Sequence, residues 1–181
     1  DKFDFELPMA GKHNVLNMML AIDIARNLNV SLKEMNDGLA NLKATSMRLE
    51  VEKTDKITII NDCYNASPDS MKSSIEVLMT KAAMRRVAIL GDMYELGSKT
   101  KEAHEDVGSF AKGKIDLLIV IGENVDNYEN GFGNENIRKF ASKDDFFKEV
   151  DSLINKDDVI LVKASRGMKF EEVTSKLKEL K

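Results

Sequence analysis

The stretch TIINDCYNASPDS, residues 58–70, changes character halfway along. Ile59 and Ile60 belong to an apolar run that predicts a buried strand, and the chain then turns polar before Ser67 and a following proline predict the start of a helix. Asp62 comes directly after the strand, where a carboxylate can accept hydrogen bonds from the two neighbouring hydroxyls of a ribose. A carboxylate at this position can equally cap the turn or helix that follows. The residues alone leave both roles open.

Polar clusters also follow two other apolar runs, RRVAILG and DVILVKA. The first cluster carries Asp92 and Glu95, which could bind a cation or an amine, although Glu95 could instead favour the dipole of the next helix. The second carries Lys163, Ser165 and Arg166, which could hold a carboxylate at a helix N-terminus. A capped helix with solvated cations is the alternative for this second cluster.

Two further segments carry candidate binding residues. Arg48, in SMRLE, could contact a phosphate through its planar guanidinium, or could form a surface ion pair with Glu50. Asn14 and Asn17, in GKHNVLN, lie one helical turn apart and could read the edge of a base or brace a loop. Asn14 could also be a helix cap.

The order of the apolar and polar patterns predicts an α/β fold. Nearly all-apolar strands that alternate with helices are typical of a doubly wound, mostly parallel, Rossmann-like sheet, here from about residue 46 onward. Ligands of such sheets bind beyond the carboxyl ends of the strands, where the three polar clusters lie. The predicted strands are 49–53, 57–61, 85–91, 116–122, 136–141 and 158–164, and the predicted helices are 68–83, 99–112, 123–129, 144–154 and 168–180.

The first 45 residues are predicted to form a separate unit. Phe3, Phe5 and Leu7 alternate with polar residues as in a strand that lacks a partner, and two helices follow. Ser31 is predicted to cap the second helix in a capping box with Glu34. The chain has no initiator methionine, and we expect it to be a fragment of a longer protein.

Composition narrows the classes of function. The formal net charge of -4 gives no general basic field, so we expect no nucleic-acid partner. The single cysteine excludes an internal disulfide framework, and no apolar run reaches the length of a membrane span. The sequence contains neither a GxxxxGK[ST] phosphate loop nor a GxGxxG dinucleotide fingerprint, which argues against a dehydrogenase. No His/Cys cluster predicts a metal site.

Five segments together resemble the Mur ligase family in order and spacing: GKHNVLN, MRLE, INDCYNASPDSM, ILGDMYELG with a following HEDVG, and VKASRGMKFEEV. The resemblance covers essentially the whole chain. The NDCYNASP and GDMYELG patterns are similar to the branch that adds D-alanyl-D-alanine, whereas the tripeptide-forming sibling typically carries DYAHxP at the first of them. Other members of the family remain an alternative.

The resemblance implies an ATP-dependent amide-bond ligase of peptidoglycan biosynthesis. In the family, ATP with Mg²⁺ phosphorylates the terminal carboxylate of a UDP-N-acetylmuramoyl-tripeptide, and the amine of D-alanyl-D-alanine attacks the acyl phosphate. Such ligases work in the cytoplasm. The resemblance implies that Asn14 and Asn17 contact adenine, Arg48 contacts the phosphates and Asp62 contacts the ribose.

The loops that face the amine acceptor in the family correspond here to those that hold Tyr64, Asn65, Asp92, Ser165 and Arg166. These five residues are therefore the predicted contacts of D-alanyl-D-alanine.

The resemblance also implies what this chain lacks. Residues 1–45 correspond to the end of the central ATP-binding domain, and 46–181 correspond to the carboxyl-terminal domain. The phosphate loop, the magnesium ligands and the carbamylated lysine of the family all belong to parts upstream, so we expect no catalytic residue, no metal site and no activity in this chain alone. We expect the intact enzyme to close about a hinge near residues 44–48. A stand-alone nucleotide-binding module is the alternative reading.

Overall fold

The computed structural model describes residues 4–9, 11–42 and 46–180. The chain forms two compact units, which divide between residues 45 and 46. Among the described residues no helix is both long enough and apolar enough to cross a membrane.

The described residues of the first unit form two helices, α1 (Lys12–Asn27) and α2 (Leu32–Ala40). Gly11 is the N-cap of α1, with a φ of 104°, and its carbonyl accepts a hydrogen bond from the Asn14 N–H at 3.0 Å. Asn14 therefore lies inside the first turn and is not the cap. The capping box predicted for α2 is confirmed, because Ser31 and Glu34 exchange hydrogen bonds between side chain and backbone.

The strand predicted over Phe3, Phe5 and Leu7 is wrong for the residues that the structure describes. Residues 4–9 carry no strand, and Phe3 lies outside the described ranges. An alternating pattern becomes a strand only where a neighbouring strand completes its ladder of hydrogen bonds. All six strands in the described sheet belong to the second unit.

The second unit is a six-stranded sheet with helices on both faces, as the sequence predicts. Its strands, in the order β1-β2-β6-β3-β4-β5 across the sheet, are parallel except for the antiparallel edge strand β1. The strands are β1 (Glu50–Lys53), β2 (Thr58–Asn61), β3 (Arg85–Gly91), β4 (Leu117–Ile121), β5 (Ile137–Phe140) and β6 (Asp158–Lys163). The helices are α3 (Pro68–Met79), α4 (Thr100–Ala111), α5 (Val125–Phe132), α6 (Lys143–Leu153) and α7 (Glu171–Lys178), with 3₁₀ turns at Gly97–Lys99 and Arg166–Met168.

Two apolar layers cover the sheet, one on each face. Successive residues of β3 alternate between them: Val87 and Ile89 pack in the layer that includes residues of α6 and α7, and Ala88 and Leu90 pack in the layer that includes residues of α3, α4 and α5. Because both faces are buried, the parallel strands read as continuous apolar runs rather than as alternating ones.

The position of β6 determines where a ligand can bind. The strand lies between β2 and β3, and the helix that follows it packs on the face opposite to the helices that follow its two neighbours. The connections therefore leave the sheet in opposite directions on both sides of β6. In open α/β sheets ligands bind at such a switch point, beyond the carboxyl ends of the strands.

Gly91 is the last residue of β3, and it lies where no side chain fits. A Cβ atom there would lie 2.5 Å from Phe170 Cζ and 2.7 Å from both Ala164 Cβ and Met168 Sδ. Gly91→Ala is expected to lower the free energy of unfolding by about 1–3 kcal/mol, because the added methyl group overpacks the core beneath the crevice. Urea unfolding measures this change. The exposed Ser109→Ala in α4 is the control, and equal stability of the two variants would contradict the prediction.

Candidate functional site

Asp62 lies at the centre of the carboxyl edge and is 8 % exposed. Its Oδ1 atom accepts a hydrogen bond from the Leu49 N–H at 3.1 Å. Its Oδ2 atom accepts one from Ser74 Oγ and one from Lys163 Nζ, both at 2.6 Å. A carboxylate offers about four acceptor positions, so about one remains, on Oδ1. Asp62 therefore has room for one hydrogen bond from a ligand, not for the two that the sequence analysis expects.

Lys163 belongs to the polar cluster after β6 but is not among the predicted contacts of ATP or of the amine acceptor, yet it organises the edge. It is the last residue of β6, and its ammonium group is buried between the Asp62 carboxylate and the Asn65 carbonyl, 2.8 Å away. The only sequence signal is a lysine at the end of an apolar run, which is an unusual place for a charged residue without a partner.

The segment that precedes β1 is fixed to the second unit. Met47 and Leu49 are both in the left-handed region, with φ values of 62° and 52°. The Met47 carbonyl accepts a hydrogen bond from the Tyr64 N–H at 3.1 Å, and the Leu49 N–H donates to Asp62. The described part of the predicted hinge, residues 46–48, therefore belongs to the sheet unit, and residues 44 and 45 lie outside the described ranges.

Arg48 projects from this fixed segment. Its guanidinium carbon lies 4.2 Å from the centre of the exposed Tyr64 ring, a cation–π contact worth about 0.5–1 kcal/mol at an exposed site. The ion pair with Glu50 considered in the sequence analysis is not formed, because the Glu50 carboxylate accepts the Met47 N–H at 3.2 Å instead. Arg48 thus keeps its guanidinium at the surface of the edge.

Arg166 lies near the same segment, beyond the end of β6. Its side chain is 53 % exposed, and its Nη1 atom is 3.1 Å from Glu171 Oε1 and 3.4 Å from Met47 Sδ. Asn65 is also exposed, and only its carbonyl is held, by Lys163. Arg48, Tyr64, Asn65 and Arg166 therefore offer side chains to solvent at the carboxyl edge.

The side chains of Asp92 and Ser165 are hydrogen-bonded to the backbone of neighbouring loops. The Asp92 carboxylate is 3 % exposed and accepts the backbone N–H groups of Glu123 and Asn124 at 2.9 and 3.0 Å, which fixes the start of the loop after β4. Ser165 is also 3 % exposed, and its Oγ accepts the Tyr94 N–H at 2.8 Å. Both side chains are buried and already accept backbone N–H groups, and their contact with the amine acceptor stays a prediction.

The remaining buried groups of this edge are structural. His104 is fully buried, and its Nδ1 atom is 2.6 Å from the Thr100 carbonyl, to which it can only donate. Its Nε2 atom accepts the Met93 N–H at 3.0 Å, so the imidazole is neutral. Burial lowers the pKa of His104 and raises the pKa of Cys63 to about 12. Neither group is exposed to react with a ligand.

The residues that the structure describes contain no group of three or more His, Cys, Asp or Glu side chains placed to hold a metal ion.

Asn14 and Asn17 belong to the first unit, where both lie on α1, one turn apart. Asn17 is exposed and Asn14 is half-buried. Their contact with adenine stays a prediction.

Comparison with known proteins identifies the family to which the chain belongs. The family model described as "Mur ligase, glutamate ligase domain" matches residues 47–166. The chain belongs to the Mur ligase family. The matched range contains every candidate residue of the second unit, and it extends from the segment that holds Arg48 to Arg166. The family resemblance of the sequence motifs is thereby confirmed.

Relatives and solved structures agree on the branch of the Mur ligase family. The chain is 38% identical, over 97% of its length, to the UDP-N-acetylmuramoyl-tripeptide–D-alanyl-D-alanine ligase of Bacillus subtilis. It superposes on a crystal structure of MurF from Acinetobacter baumannii with a TM-score of 0.88 at 28% identity, over 97% of the chain. A MurF ligase from Thermotoga maritima, solved in complex with ADP, gives a TM-score of 0.81 at 27% identity over 98% of the chain.

The match covers only part of each of these Mur ligases. The chain spans 40% of the Bacillus subtilis relative, 39% of the Acinetobacter baumannii chain and 40% of the Thermotoga maritima chain.

The buried imidazole predicts a pH dependence of stability. The pKa of His104 is lowered in the folded chain, so below the unfolded value of about 6.5 the unfolded chain binds more protons than the folded one. The contribution of His104 to stability is therefore complete above about pH 6.5 and is expected to diminish as the pH falls from there towards the folded pKa.

Urea unfolding at pH 7.5, 6.5 and 5.5 measures this dependence in the chain and in His104→Gln. The carboxylates titrate alike in both proteins, so the difference between their pH slopes isolates His104. If the free energy of unfolding changes equally with pH in both proteins, His104 does not lower the stability of the chain at acid pH.

Proposed function

We propose that the chain is the carboxyl-terminal part of an ATP-dependent ligase that joins D-alanyl-D-alanine to UDP-N-acetylmuramoyl-tripeptide in peptidoglycan biosynthesis. The observation that carries this proposal is the 38% identity to the Bacillus subtilis ligase of that name, which extends over 97% of the chain and includes the loops after β2, β3 and β6. We also propose that the ligase acts in the cytoplasm, which agrees with the single, unpaired cysteine of this chain.

In this proposal, residues 1–45 are the end of the central ATP-binding domain, and Asn14 and Asn17 contact the adenine. The second unit supplies Arg48 for the phosphates and Asp62 for the ribose. Asp62 accepts one ribose hydroxyl on Oδ1, because its other acceptor positions are occupied. A hydrogen bond to a charged acceptor of this kind contributes about 1.5–3 kcal/mol.

The exposed residues of the edge are the proposed contacts of the acceptor. Arg166 carries a cationic group suited to the carboxylate of D-alanyl-D-alanine, and Tyr64 and Asn65 offer a ring and an amide beside it. Asp92 and Ser165 act indirectly in this proposal, since they fix the loops after β3, β4 and β6 around the crevice.

The reaction passes through an acyl phosphate, which water can hydrolyse. ATP supplies the phosphoryl group, and magnesium, when bound, neutralises the phosphates through ligands outside this chain. The contribution of this chain is to orient the nucleotide and the amine at a crevice from which closure excludes water. Because the phosphate loop, the magnesium ligands and the carbamylated lysine of the family correspond to parts outside this chain, we propose that the chain alone does not catalyse ligation.

A chimera tests the assignment. Replacing the matching segment of the Bacillus subtilis ligase with this chain is expected to give an enzyme that releases phosphate only when ATP, UDP-N-acetylmuramoyl-tripeptide and D-alanyl-D-alanine are all present. The chain alone, at the same concentration, is expected to release none. Turnover by the chain alone would contradict its proposed dependence on the other domains. An inactive but folded chimera would contradict the assignment to this ligase.

Arg48→Ala in the same chimera tests the phosphate contact. It is expected to raise the KM for ATP about tenfold or more, because a hydrogen-bonded charge pair is lost. Arg138→Ala is the matched control, since Arg138 is an exposed arginine on β5 that contacts a backbone carbonyl. An unchanged KM for ATP in Arg48→Ala would exclude Arg48 from the nucleotide site.

A further inference from the structure

The buried ammonium group of Lys163 has all of its hydrogen-bond acceptors in one loop. Its side chain is 3 % exposed. Its ammonium group donates to Asp62 Oδ2 at 2.6 Å and to the Asn65 carbonyl at 2.8 Å, and lies 3.5 Å from the Asp62 carbonyl. All three acceptors belong to the loop after β2, so a single cation at the end of β6 holds both the beginning and the end of that loop.

The arrangement is costly if it serves stability alone. Two charges that leave water lose hydration, and apolar residues of similar volume often replace a buried ion pair without loss of stability. The same chain contains such a pair at the other end of β6, where Arg85 donates to both carboxylate oxygens of the buried Asp158, at 2.8 and 2.6 Å. That pair lies at the edge of the sheet opposite to the crevice, and it provides an internal comparison.

The Lys163 contact also determines which oxygen of Asp62 remains available. Lys163 and Ser74 both donate to Oδ2, and Oδ1 is left with the Leu49 N–H alone. The same cation fixes the loop that carries Tyr64, on whose ring the Arg48 guanidinium rests. The orientation of Asp62 and the position of Arg48 therefore share one support.

We propose that Lys163 is a positioning residue for the nucleotide: it orients the Asp62 carboxylate so that Oδ1 faces a ribose hydroxyl, and it holds the loop of Tyr64 beneath Arg48. This inference rests on the proposed function, because it requires a nucleotide at this edge. Lys163 itself touches no ligand.

The test titrates the complete 181-residue chain with ADP, 2′-deoxy-ADP and 3′-deoxy-ADP in separate experiments. Binding is followed through the backbone amide signals of residues 62–65 in ¹H–¹⁵N spectra. The chain is expected to bind ADP weakly, and to bind one of the two deoxy analogues about tenfold more weakly still, because a single ribose hydroxyl reaches Oδ1. Lys163→Met is expected to weaken ADP binding about tenfold and to abolish the discrimination against that analogue.

Arg85→Met is the matched control, since it also removes the cation from a buried carboxylate on β6. It is expected to lower the stability of the chain while ADP affinity and ribose discrimination stay as in the unmodified chain. Should Lys163→Met not fold, Lys163→Gln is judged by the same criteria, because it removes the charge and shortens the side chain while it keeps the buried site polar.

The outcomes separate the two proposals. Absence of any ADP-dependent change at residues 62–65 of the unmodified chain would overturn the nucleotide site itself, and the role of Lys163 with it. Binding with ribose discrimination in the unmodified chain that persists in the folded Lys163 variant would overturn the role of Lys163 alone. Loss of discrimination in Arg85→Met as well would show that the effect reflects general destabilisation, and it too would overturn that role.

Discussion

The buried ion pair between Asp62 and Lys163 is the interaction on which the carboxyl edge of this sheet depends. It joins the end of β2 to the end of β6, and through the Leu49 N–H and Ser74 it also includes the segment before β1 and the helix α3. A buried charge is stable only when its partner and its hydrogen bonds are complete. Four parts of the second unit are therefore fixed relative to one another by a single carboxylate.

A second set of contacts fixes the other half of the edge. Asp92 holds the loop after β4 through two backbone N–H groups, its carbonyl accepts the Ser165 N–H at 3.1 Å, and Ser165 in turn accepts the Tyr94 N–H. The loops of β3, β4 and β6 are thus connected by the buried side chains of Asp92 and Ser165 and by the hydrogen bond between their backbones. Most of the inner polar groups are occupied, so the groups left to meet a ligand are the free acceptor position of Asp62 Oδ1 and the exposed Arg48, Tyr64, Asn65 and Arg166.

This division between an inner and an outer layer suits a Mur ligase. In the proposed reaction, a nucleotide and an amine must be placed within contact distance while an acyl phosphate is kept from water. Inner groups that are already hydrogen-bonded need no rearrangement when the ligands arrive. Since residues 46–49 are bound to the sheet unit, Arg48 moves with that unit in any closure of the intact enzyme.

The sequence by itself determined the fold of the second unit, the cap of α2 and the edge of the sheet at which the polar loops meet. Apolar runs such as that of β3 predict strands buried on both faces, Ser31 and Glu34 predict a cap, and parallel strands bring the polar clusters that follow them to one edge. These features depend on neighbours in the chain, so a local pattern reveals them.

Only the tertiary structure decided which polar side chains turn inward. Asp62 and Lys163 are 101 positions apart, and Asp92 is 31 and 32 positions from the N–H groups that it accepts. These pairs meet because β6 inserts between β2 and β3, and the loop after β4 lies beside that of β3. Strand order is a non-local property that periodicity does not encode. Strand formation at Phe5 and Leu7 is non-local in the same way. Their alternation with polar residues predicts a strand, but a strand forms only where a second strand completes its hydrogen bonds, and residues 4–9 form none.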